Sequence, residues 1–440
     1  MRVNVVGGGR MGLPLACSFA SRGAHVTVSD VNGALVSAIC AGDCPYDEPG
    51  LAQLMTSLHQ CGRLTATTNT AEATRGSDAI VVIVPAHLTP EREIDYSILV
   101  AASVEIGRGL RPGALVVYET TVSLGGTRSQ LIPMLEQFSK LKAGRDFYVG
   151  YSPERVKANL VLERLENTAK VVGGYDLVSL ERASSFYKRY LGAPVTEVGT
   201  IEAAEMTKLV GMLYRDVNIA LANELAAYCE LSGVDFDKVR SAANDDGEAN
   251  LLMPGIGVGG HCTPVYPYFL TRESRRMGLP QRLSESAREI NDRQPARQLA
   301  RVKASWRSLK GKKVHILGLG FRPGVKVDTF SPAYALWSEL LDQGAFPTIS
   351  DPYYTSEEIL SLGLTPGIAE GSNLVVLNTA HPEYATPNFI AWKDSGVEVI
   401  LDGRNLWNRG DVENSGVIYF GIGRSARIES VLRDKIVSGE

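Results

Sequence analysis

The stretch that decides the fold reads Val3-Asn4-Val5-Val6-Gly7-Gly8-Gly9-Arg10-Met11-Gly12, and Asp30 ends the next strand-like segment. Its glycines stand between a β-branched strand and a helical pattern, as in the G-x-G-x-x-G turn of dinucleotide-binding folds. Such a turn lets a pyrophosphate approach the backbone at the helix N-terminus. A carboxylate at Asp30 would accept hydrogen bonds from ribose hydroxyls and repel a 2′-phosphate. The pattern predicts an NAD site formed by Gly7, Gly9, Arg10, Met11, Gly12 and Asp30.

Strand-like runs continue along the chain and alternate with helical patterns. The runs are Ala79 to Val84, Ala114 to Tyr118, Lys170 to Val172 and Pro194 to Val198. Such alternation predicts a parallel sheet covered by helices on both faces. Functional residues in these sheets gather at the carboxyl ends of the strands. We therefore expect Pro85 and Thr121 to border the cofactor.

A helical spacing of apolar residues runs from about Thr200 to Leu231, and Gly233 is its predicted end. At 1.5 Å per residue, the helix would be a rod of roughly 48 Å. It is apolar over more of its surface than one small domain covers, which indicates a connector and a dimer interface. Two consecutive helices are the alternative.

The strand, glycine-turn, helix, strand and acid pattern restarts at Lys313 and closes at Asp351. The predicted fold class is therefore α/β, with two Rossmann-like doubly wound parallel-sheet domains joined by a long central helix. We expect an NAD-binding domain over 1–199, a helical connector and cysteine-loop region over 200–300, and a second nucleotide-binding domain over 301–440.

Composition excludes several classes of function. The 440 residues carry 45 Lys and Arg against 49 Asp and Glu, a net charge of −4, which argues against a nucleic-acid or membrane partner. No apolar run approaches the ~20 residues of a membrane span, and no signal peptide is evident, so a cytoplasmic location is expected. The six cysteines match no disulfide scaffold and no common zinc spacing, so no metal site is predicted.

Several motifs resemble those of one family of enzymes. They are Glu48-Pro49-Gly50-Leu51, Ser152-Pro153-Glu154-Arg155-Val156, Arg215-Asp216-Val217-Asn218-Ile219-Ala220, Gly257-Val258-Gly259-Gly260-His261-Cys262 and Asp402-Gly403-Arg404-Asn405. In order and spacing they resemble the UDP-glucose/GDP-mannose dehydrogenase family, the nucleotide-sugar 6-dehydrogenases. The likeness covers nearly the whole chain, and it is greatest to the UDP-N-acetylhexosamine dehydrogenase branch.

The resemblance implies an NAD-dependent oxidation of a sugar C6 alcohol, through a cysteine thiohemiacetal and thioester, to the uronic acid. Cys262 would be the nucleophile. Lys208 would stabilise developing oxyanions. Glu154 would handle the hydrolytic water, and Thr121 would hold a water or substrate oxygen. The usual setting is polysaccharide biosynthesis, and the expected assembly is a homodimer.

The resemblance also implies a binding site for the nucleotide sugar, which is expected to be UDP-linked. Two sets of residues are expected to form it. Those near the sugar are Glu154, Arg155, Lys208, Gly257 and Gly259. Those near the nucleotide diphosphate are Phe321, Arg322, Lys326 and Arg404.

Four positions depart from the family pattern. Met212 and Tyr266 stand where the family has an asparagine and an aspartate, Glu248 replaces an arginine, and Ala86-His87 replaces Thr-Pro. Losing one oxyanion donor typically costs ~10²–10³ in rate. Three hypotheses follow: a two-step dehydrogenase with a modified substrate, a divergent enzyme making a single or redox-neutral conversion, and a non-catalytic binding protein. The first is favoured.

Overall fold

The computed structural model describes residues 1–156, 161–306 and 308–426. The chain separates into two compact units. The first consists of Met1–Gly211 and Tyr268–Leu279, and the second of Met212–Pro267 and the described residues from Pro280 onward. The three-part division predicted above stays a prediction, and each compact unit is described by itself.

The first unit contains a sheet in the order β10-β9-β8-β7-β4-β1-β2-β3, with β5 and β6 as a separate hairpin. Its strands are β1 Arg2–Val6, β2 His25–Ser29, β3 Leu64–Thr67, β4 Ala79–Val82, β5 His87–Leu88, β6 Ile94–Asp95, β7 Leu115–Tyr118, β8 Tyr148–Tyr151, β9 Lys170–Gly174 and β10 Val195–Thr200. Both faces are covered, because Ala79 and Val81 pack into one core cluster while Ile80 and Val82 pack into another.

Helices connect the strands of both units. They are α1 Gly12–Ser21, α2 Gly33–Ala41, α3 Leu51–Gln60, α4 Thr70–Arg75, α5 Ser97–Gly109, α6 Ile132–Ser139, α7 Val161–Asn167, α8 Leu177–Tyr190, α9 Ile201–Ser232, α10 Phe236–Asn244, α11 Tyr266–Arg276, α12 Arg282–Ser305, α13 Pro332–Asp342, α14 Ser356–Ser361, α15 Phe389–Asp394 and α16 Arg409–Asn414. A π-helical turn, Thr127–Leu131, precedes α6, and a 3₁₀ turn, Pro382–Tyr384, precedes α15.

The direction of β9 departs from the expected parallel sheet. β9 pairs antiparallel with β8, and β10 pairs parallel with β9, whereas β3, β2, β1, β4, β7 and β8 are parallel to one another. Between β8 and β9 the chain forms α7, which packs against α1. The chain then returns to the sheet near the C-terminal end of β8. The start of β9 therefore lies beside the ends of β7 and β8.

The second unit confirms the predicted second nucleotide-binding architecture. Its sheet is wholly parallel, in the order β12-β11-β13-β14-β15. The strands are β11 Lys313–Leu317, β12 Phe346–Ser350, β13 Leu374–Leu377, β14 Val399–Asp402 and β15 Ile418–Gly421. The α/β fold class predicted from the sequence is confirmed in both units.

The long helix predicted from apolar spacing is a single helix, α9, rather than two consecutive ones. It ends where Gly233 adopts φ +80° and donates its N–H to the carbonyl of Cys229 at 3.0 Å. A left-handed residue at this position is typical of a helix end and favours glycine. In the parts of the chain that the structure describes, no helix is both long enough and apolar enough to cross a membrane.

Candidate active site

The glycine loop after β1 has two positions fixed by packing and one that is open. A Cβ on Gly12 would lie 1.9 Å from the carbonyl oxygen of Gly7, and Gly7 itself has φ +105°. A Cβ on Gly9 would meet no described protein atom within 4 Å. Packing therefore accounts for glycine at positions 7 and 12, whereas position 9 leaves space for a bound group to approach the backbone.

The N-terminus of the helix that follows the loop has no side-chain cap. Met11 occupies the N-cap position of α1 and makes no side-chain capping bond, and no acidic side chain lies in the first turn. The positive end of the helix dipole favours an anion at this place. The loop and the helix end therefore fit the pyrophosphate of NAD.

Asp30 and Tyr46 hold the loop from two sides. The Asp30 carboxylate accepts the N–H of Gly8 at 2.7 Å and that of Asn32 at 2.9 Å. Its remaining lone pairs suit ribose hydroxyls. Tyr46 donates its hydroxyl to the carbonyl of Gly8 at 3.1 Å, and the Arg10 guanidinium lies 5.7 Å from the centre of its ring. Sequence reasoning missed Tyr46, because only the folded chain brings it to the glycine loop.

The ends of β4, β7 and β8 are joined by hydrogen bonds. Thr120 donates its hydroxyl to the carbonyl of Val84, and Tyr151 donates to the carbonyl of Thr120 at 2.9 Å. Pro85 and Thr121 are the next residues along these two connections, and Thr121 is buried. The structure thus places both at neighbouring strand ends. Their contacts with a cofactor stay a prediction.

The structure brings Lys208 and Glu154 together, as their predicted places in one active site require. Lys208 is buried on α9 and donates from Nζ to the backbone carbonyl of Glu154 at 2.7 Å. The Glu154 carboxylate accepts the N–H of Val156 at 2.6 Å and lies 3.1 Å from Nζ of Lys170. Burial raises the pKa of Glu154, but Lys170, the Val156 N–H and Lys208 outweigh it, so its pKa lies below the ordinary value.

Lys170 and Glu119 are site residues that sequence reasoning missed. Nζ of Lys170 lies 2.5 Å from Oε2 of Glu119, and Tyr187 donates to Oε1 of Glu119 at 2.6 Å. If β9 were parallel to β8, Lys170 would lie at the opposite end of the strands, far from Glu119. The sequence did not reveal the direction of β9, and therefore it did not reveal this pair. Burial raises the pKa of Glu119 to about 7, against the lowering effect of Lys170.

Arg155 differs from its neighbour Glu154 in being exposed. Its guanidinium donates to the carbonyl of Ala169, so this bond ties the S-P-E-R-V segment to the residue before β9. Its predicted contact with substrate is not tested by this arrangement.

Cys262 belongs to the second unit and lies just before α11. Its carbonyl accepts the N–H of Val265 at 3.2 Å and that of Tyr266 at 2.9 Å, and its side chain is half-buried. Tyr266 therefore occupies the first residue of α11. The substitution of aspartate by tyrosine falls directly beside the cysteine loop along the chain.

The glycines of the cysteine loop have packing partners. A Cβ on Gly259 would lie 2.5 Å from Cβ of Phe321, and one on Gly257 would lie 2.9 Å from Pro332. Gly260 has φ +96° and faces the Phe321 ring. These contacts explain the glycines without a ligand. Substrate binding by Gly257, Gly259 and Phe321 stays a prediction.

Two asparagines on α9 anchor the segment that leads to the cysteine loop. Asn218 donates to the carbonyl of Asn250 at 2.7 Å and accepts the N–H of Leu252 at 2.8 Å. Asn223 accepts the N–H of Gly255 at 2.9 Å. The R-D-V-N-I-A motif therefore contributes to the position of this segment, a role that the sequence alone did not show.

The glycine turn of the second unit repeats one bond of the first, because Asp351 accepts the N–H of Leu319 as Asp30 accepts that of Gly8, and it adds a second bond from Gly320. Asp351 accepts the N–H groups of Leu319 and Gly320 at 2.8 and 2.9 Å, and Phe321 donates its N–H to Val327. His381 also bonds to Asp351, at 3.1 Å. These N–H groups are thus used inside the protein, so a phosphate at this turn would have to be bound by side chains.

Arg404 is a suitable side chain for that purpose. Its guanidinium donates to the carbonyls of Asn378 at 2.6 Å and Gly257 at 3.4 Å, and no carboxylate of the described residues forms an ion pair with it. Burial lowers the pKa of Arg404 to about 10, against the raising effect of Asp402. An unneutralised guanidinium favours an anionic ligand.

The other two predicted phosphate contacts have different surroundings. Lys326 pairs with Glu358 on α14, which offsets its charge. Arg322 is partly exposed in the same loop. Binding of the nucleotide by either residue stays a prediction. Over residues 1–156, 161–306 and 308–426, no group of three or more His, Cys, Asp or Glu side chains could hold a metal ion.

An open dinucleotide loop in one unit and a second Rossmann-like sheet in the other are typical of the class of NAD-dependent dehydrogenases. Models of the UDP-glucose/GDP-mannose dehydrogenase family match the chain in three parts: the NAD binding domain over residues 1–191, the central domain over 202–293 and the UDP binding domain over 315–409. The chain belongs to this family, and it is an NAD-dependent nucleotide-sugar dehydrogenase.

Known relatives agree with the predicted branch. The chain is 30% identical over 433 residues to a UDP-N-acetyl-D-mannosamine dehydrogenase of Pyrococcus horikoshii, covering 96% of this chain and 99% of that protein. It is 34% identical over 355 residues to the enzyme of the same name from Escherichia coli K12, covering 78% and 82%. The solved UDP-D-ManNAc dehydrogenase from Pyrococcus horikoshii superposes with a TM-score of 0.86 at 29% identity, covering 96% and 99%.

Proposed function

We propose that the chain oxidises C6 of a UDP-N-acetylhexosamine to the uronic acid, with Cys262 as the covalent carrier. The observation that carries the proposal is the contact of Lys208 with the Glu154 carbonyl at 2.7 Å. It places a buried cation beside the S-P-E-R-V segment, in the same unit as the open glycine loop. The relatives named above act on UDP-N-acetyl-D-mannosamine according to their names, which supports an N-acetylhexosamine as the sugar.

Each residue has a defined part in the proposed reaction. The glycine loop, Gly7 to Gly12, and Asp30 would hold NAD, which would supply the hydride acceptor for each of the two oxidations. One proton is released with each hydride. The Cys262 thiolate attacks the C6 aldehyde and forms the carbon–sulfur bond of a thiohemiacetal, whose oxidation leaves a thioester. Lys208 donates to the oxygen that becomes negative at C6. Glu154 takes a proton from the water that attacks the thioester, and the carbon–sulfur bond breaks to release acid and thiolate.

The diphosphate of the substrate is the proposed ligand of Arg404. The N–H groups of Leu319 and Gly320 are bonded to Asp351, so they are not available to it. Among the described residues, the hydrogen bonds of the Arg404 guanidinium go to the backbone carbonyls of Asn378 and Gly257. A planar cation of this kind matches a phosphate in geometry and charge.

The four departures from the family pattern are compatible with this proposal. The relatives reported above give no support for the alternative, a single two-electron or redox-neutral conversion. Glu248 is exposed, with its N–H bonded to Asp246 at 2.9 Å. We propose that the changes at Met212, Tyr266 and Glu248 adjust the substrate accepted and leave the course of oxidation unchanged.

The proposed setting is the cytoplasm, in a pathway that supplies sugar acids for a polysaccharide, and the proposed assembly is a homodimer. The support for a dimer is an apolar stripe on α9 made of exposed side chains that recur at helical spacing. Its members are Tyr214, Leu221, Leu225, Tyr228 and Leu231. Exposed apolar stripes of this kind are usually covered by a partner.

The experiment that tests the substrate assignment is a panel of UDP-sugars incubated with NAD. We expect turnover of a UDP-N-acetylhexosamine, with a product in which two C6 hydrogens are replaced by one oxygen, identified by mass spectrometry. Faster conversion of UDP-glucose than of every UDP-N-acetylhexosamine would contradict the assignment.

A further inference from the structure

Three titratable side chains, of which two are buried and Glu154 is half-buried, form a ladder near the ends of β7 and β8 and the start of β9 in the first sheet. Glu119 directly follows β7, Glu154 lies three residues after β8, and Lys170 begins β9. The Lys170 ammonium lies 2.5 Å from Glu119 and 3.1 Å from Glu154. Only Glu154 among the three has a part in the reaction proposed above.

The antiparallel direction of β9 is what brings Lys170 close to Glu119 and Glu154. β8 and β9 pair antiparallel with Tyr151 opposite Gly173, and the same register continued for three residues sets Glu154 opposite Lys170. The backbone N–H of Glu154 also donates to the carbonyl of Glu119 at 3.1 Å. Glu154 is therefore held to Glu119 by a main-chain hydrogen bond and to Lys170 by an ion pair.

Two carboxylates share one ammonium in this ladder. The titratable groups that face Glu119 from the described elements are Lys170 of β9, Glu154 after β8 and Tyr187 of α8. With both carboxyls ionised, Lys170 divides its attraction between them. With Glu119 neutral, Lys170 neutralises Glu154 alone and makes it a weaker base.

We propose that Glu119 and Lys170 are positioning residues, which hold the Glu154 carboxylate and set its basicity toward the hydrolytic water. The inference rests on the proposed function, because it assigns the ladder to hydrolysis of the Cys262 thioester. In that step water adds to the thioester carbon, its proton passes to Glu154, and the thiolate leaves without any change of oxidation state. The pKa of about 7 that burial gives Glu119 supports a change of charge in the working range of pH.

The test compares wild type with E119Q, E119D and Y187F in single turnovers with enzyme in excess over the UDP-sugar selected by the panel. NADH appearance reports hydride transfer, and acid released before a denaturing quench reports hydrolysis. In wild type, we expect the hydrolysis rate to rise as pH increases through about 7. E119Q should keep the wild-type rate of the first hydride transfer. Its hydrolysis rate should not rise with pH, and at high pH it should be lower than that of wild type by a factor on the order of ten.

Two further variants separate positioning from general damage. E119D keeps an ionisable carboxyl and should recover the rise. Y187F removes a hydrogen bond to the Glu119 carboxylate, at 2.6 Å, so it should move the rise to higher pH. Infrared difference spectra between acidic and alkaline samples should show a protonated carboxyl band in wild type that E119Q lacks.

The outcomes are distinct. If wild type forms acid and E119Q retains the wild-type rate and pH profile of hydrolysis, the positioning role is wrong while the proposed function stands. A loss of hydride transfer in E119Q equal to its loss of hydrolysis would likewise overturn the role. If wild type forms no acid, the proposed function fails and this inference fails with it.

Discussion

Asp30 Oδ2 accepts the backbone N–H of Gly8 at 2.7 Å, so the acid that directly follows β2 is tied to the loop that follows β1. The same carboxylate is expected to bind the adenosine ribose. D30N keeps an acceptor oxygen and removes the charge. We expect the KM for NAD to rise by roughly ten- to hundredfold, the loss of a charged hydrogen bond, and the preference over NADP to fall.

D43N is the matched control, since Asp43 is an exposed acid in the same domain. Its kinetic constants for both cofactors should equal those of wild type. An unchanged ratio of NAD to NADP activity in D43N and D30N alike would show that Asp30 does not select the cofactor.

Cys262 is predicted to carry the covalent step. C262A should lower the steady-state rate of acid formation by several orders of magnitude, as removal of a nucleophile does, while NAD binding measured by calorimetry stays unchanged. C61S, which changes an exposed cysteine, should retain full activity. Acid formation by C262A at the wild-type rate would exclude covalent catalysis by this residue.

The apolar stripe on α9 is predicted to be the dimer interface. L221E with L225E introduces two charges into it and should convert the dimer to a monomer in analytical ultracentrifugation, because uncompensated charges are strongly disfavoured in an interface. E224Q changes an exposed residue on the same helix and should stay dimeric. A wild type that sediments as a monomer at micromolar concentration would contradict the assignment.

His315 makes the stability of the second unit depend on pH. It is buried in β11, bonded to Thr348 and Ser350 at 2.9 Å each, and burial lowers its pKa to about 4 from 6.5. Between these values the unfolded chain binds a proton that the folded chain does not, so the free energy of unfolding falls as pH falls. The loss should approach ~3 kcal/mol for the full shift.

Urea unfolding at several pH values measures this loss. The free energy of unfolding of H315Q should depend less steeply on pH between 6.5 and about 4, because the His315 contribution is gone. H25Q, which changes an exposed histidine of β2, should keep the wild-type pH dependence. Equal slopes in H315Q and wild type would show that His315 does not titrate on unfolding.

Local patterns were sufficient to predict much of this architecture. The Gly7-to-Gly12 turn, the strands around Val81 and Val116, and α9 all follow from spacing and glycine chemistry that involve neighbouring residues. What could not be predicted depends on pairing between distant segments. The antiparallel direction of β9, which brings Lys170 to Glu154, leaves no mark in the local pattern of the strand, because a buried strand looks alike in either direction.

The site was predictable to a similar extent. Lys208 and Glu154 were identified through family motifs, and the structure brings them into contact. The additional bond from the Gly320 N–H to Asp351 could not be foreseen, because Asp30 and Asp351 directly follow equivalent strands in similar sequence patterns. The difference between the two glycine turns appears only when hydrogen-bond partners are known.

The central claim is that the enzyme completes both oxidations despite Met212, Tyr266 and Glu248. The most direct measurement is the number of NADH molecules formed for each UDP-N-acetylhexosamine consumed, followed by absorbance with the sugar limiting. We expect two NADH for each sugar, with the uronic acid as the product. One NADH for each sugar with an aldehyde or ketone product, or a changed sugar with no net NADH, would contradict it.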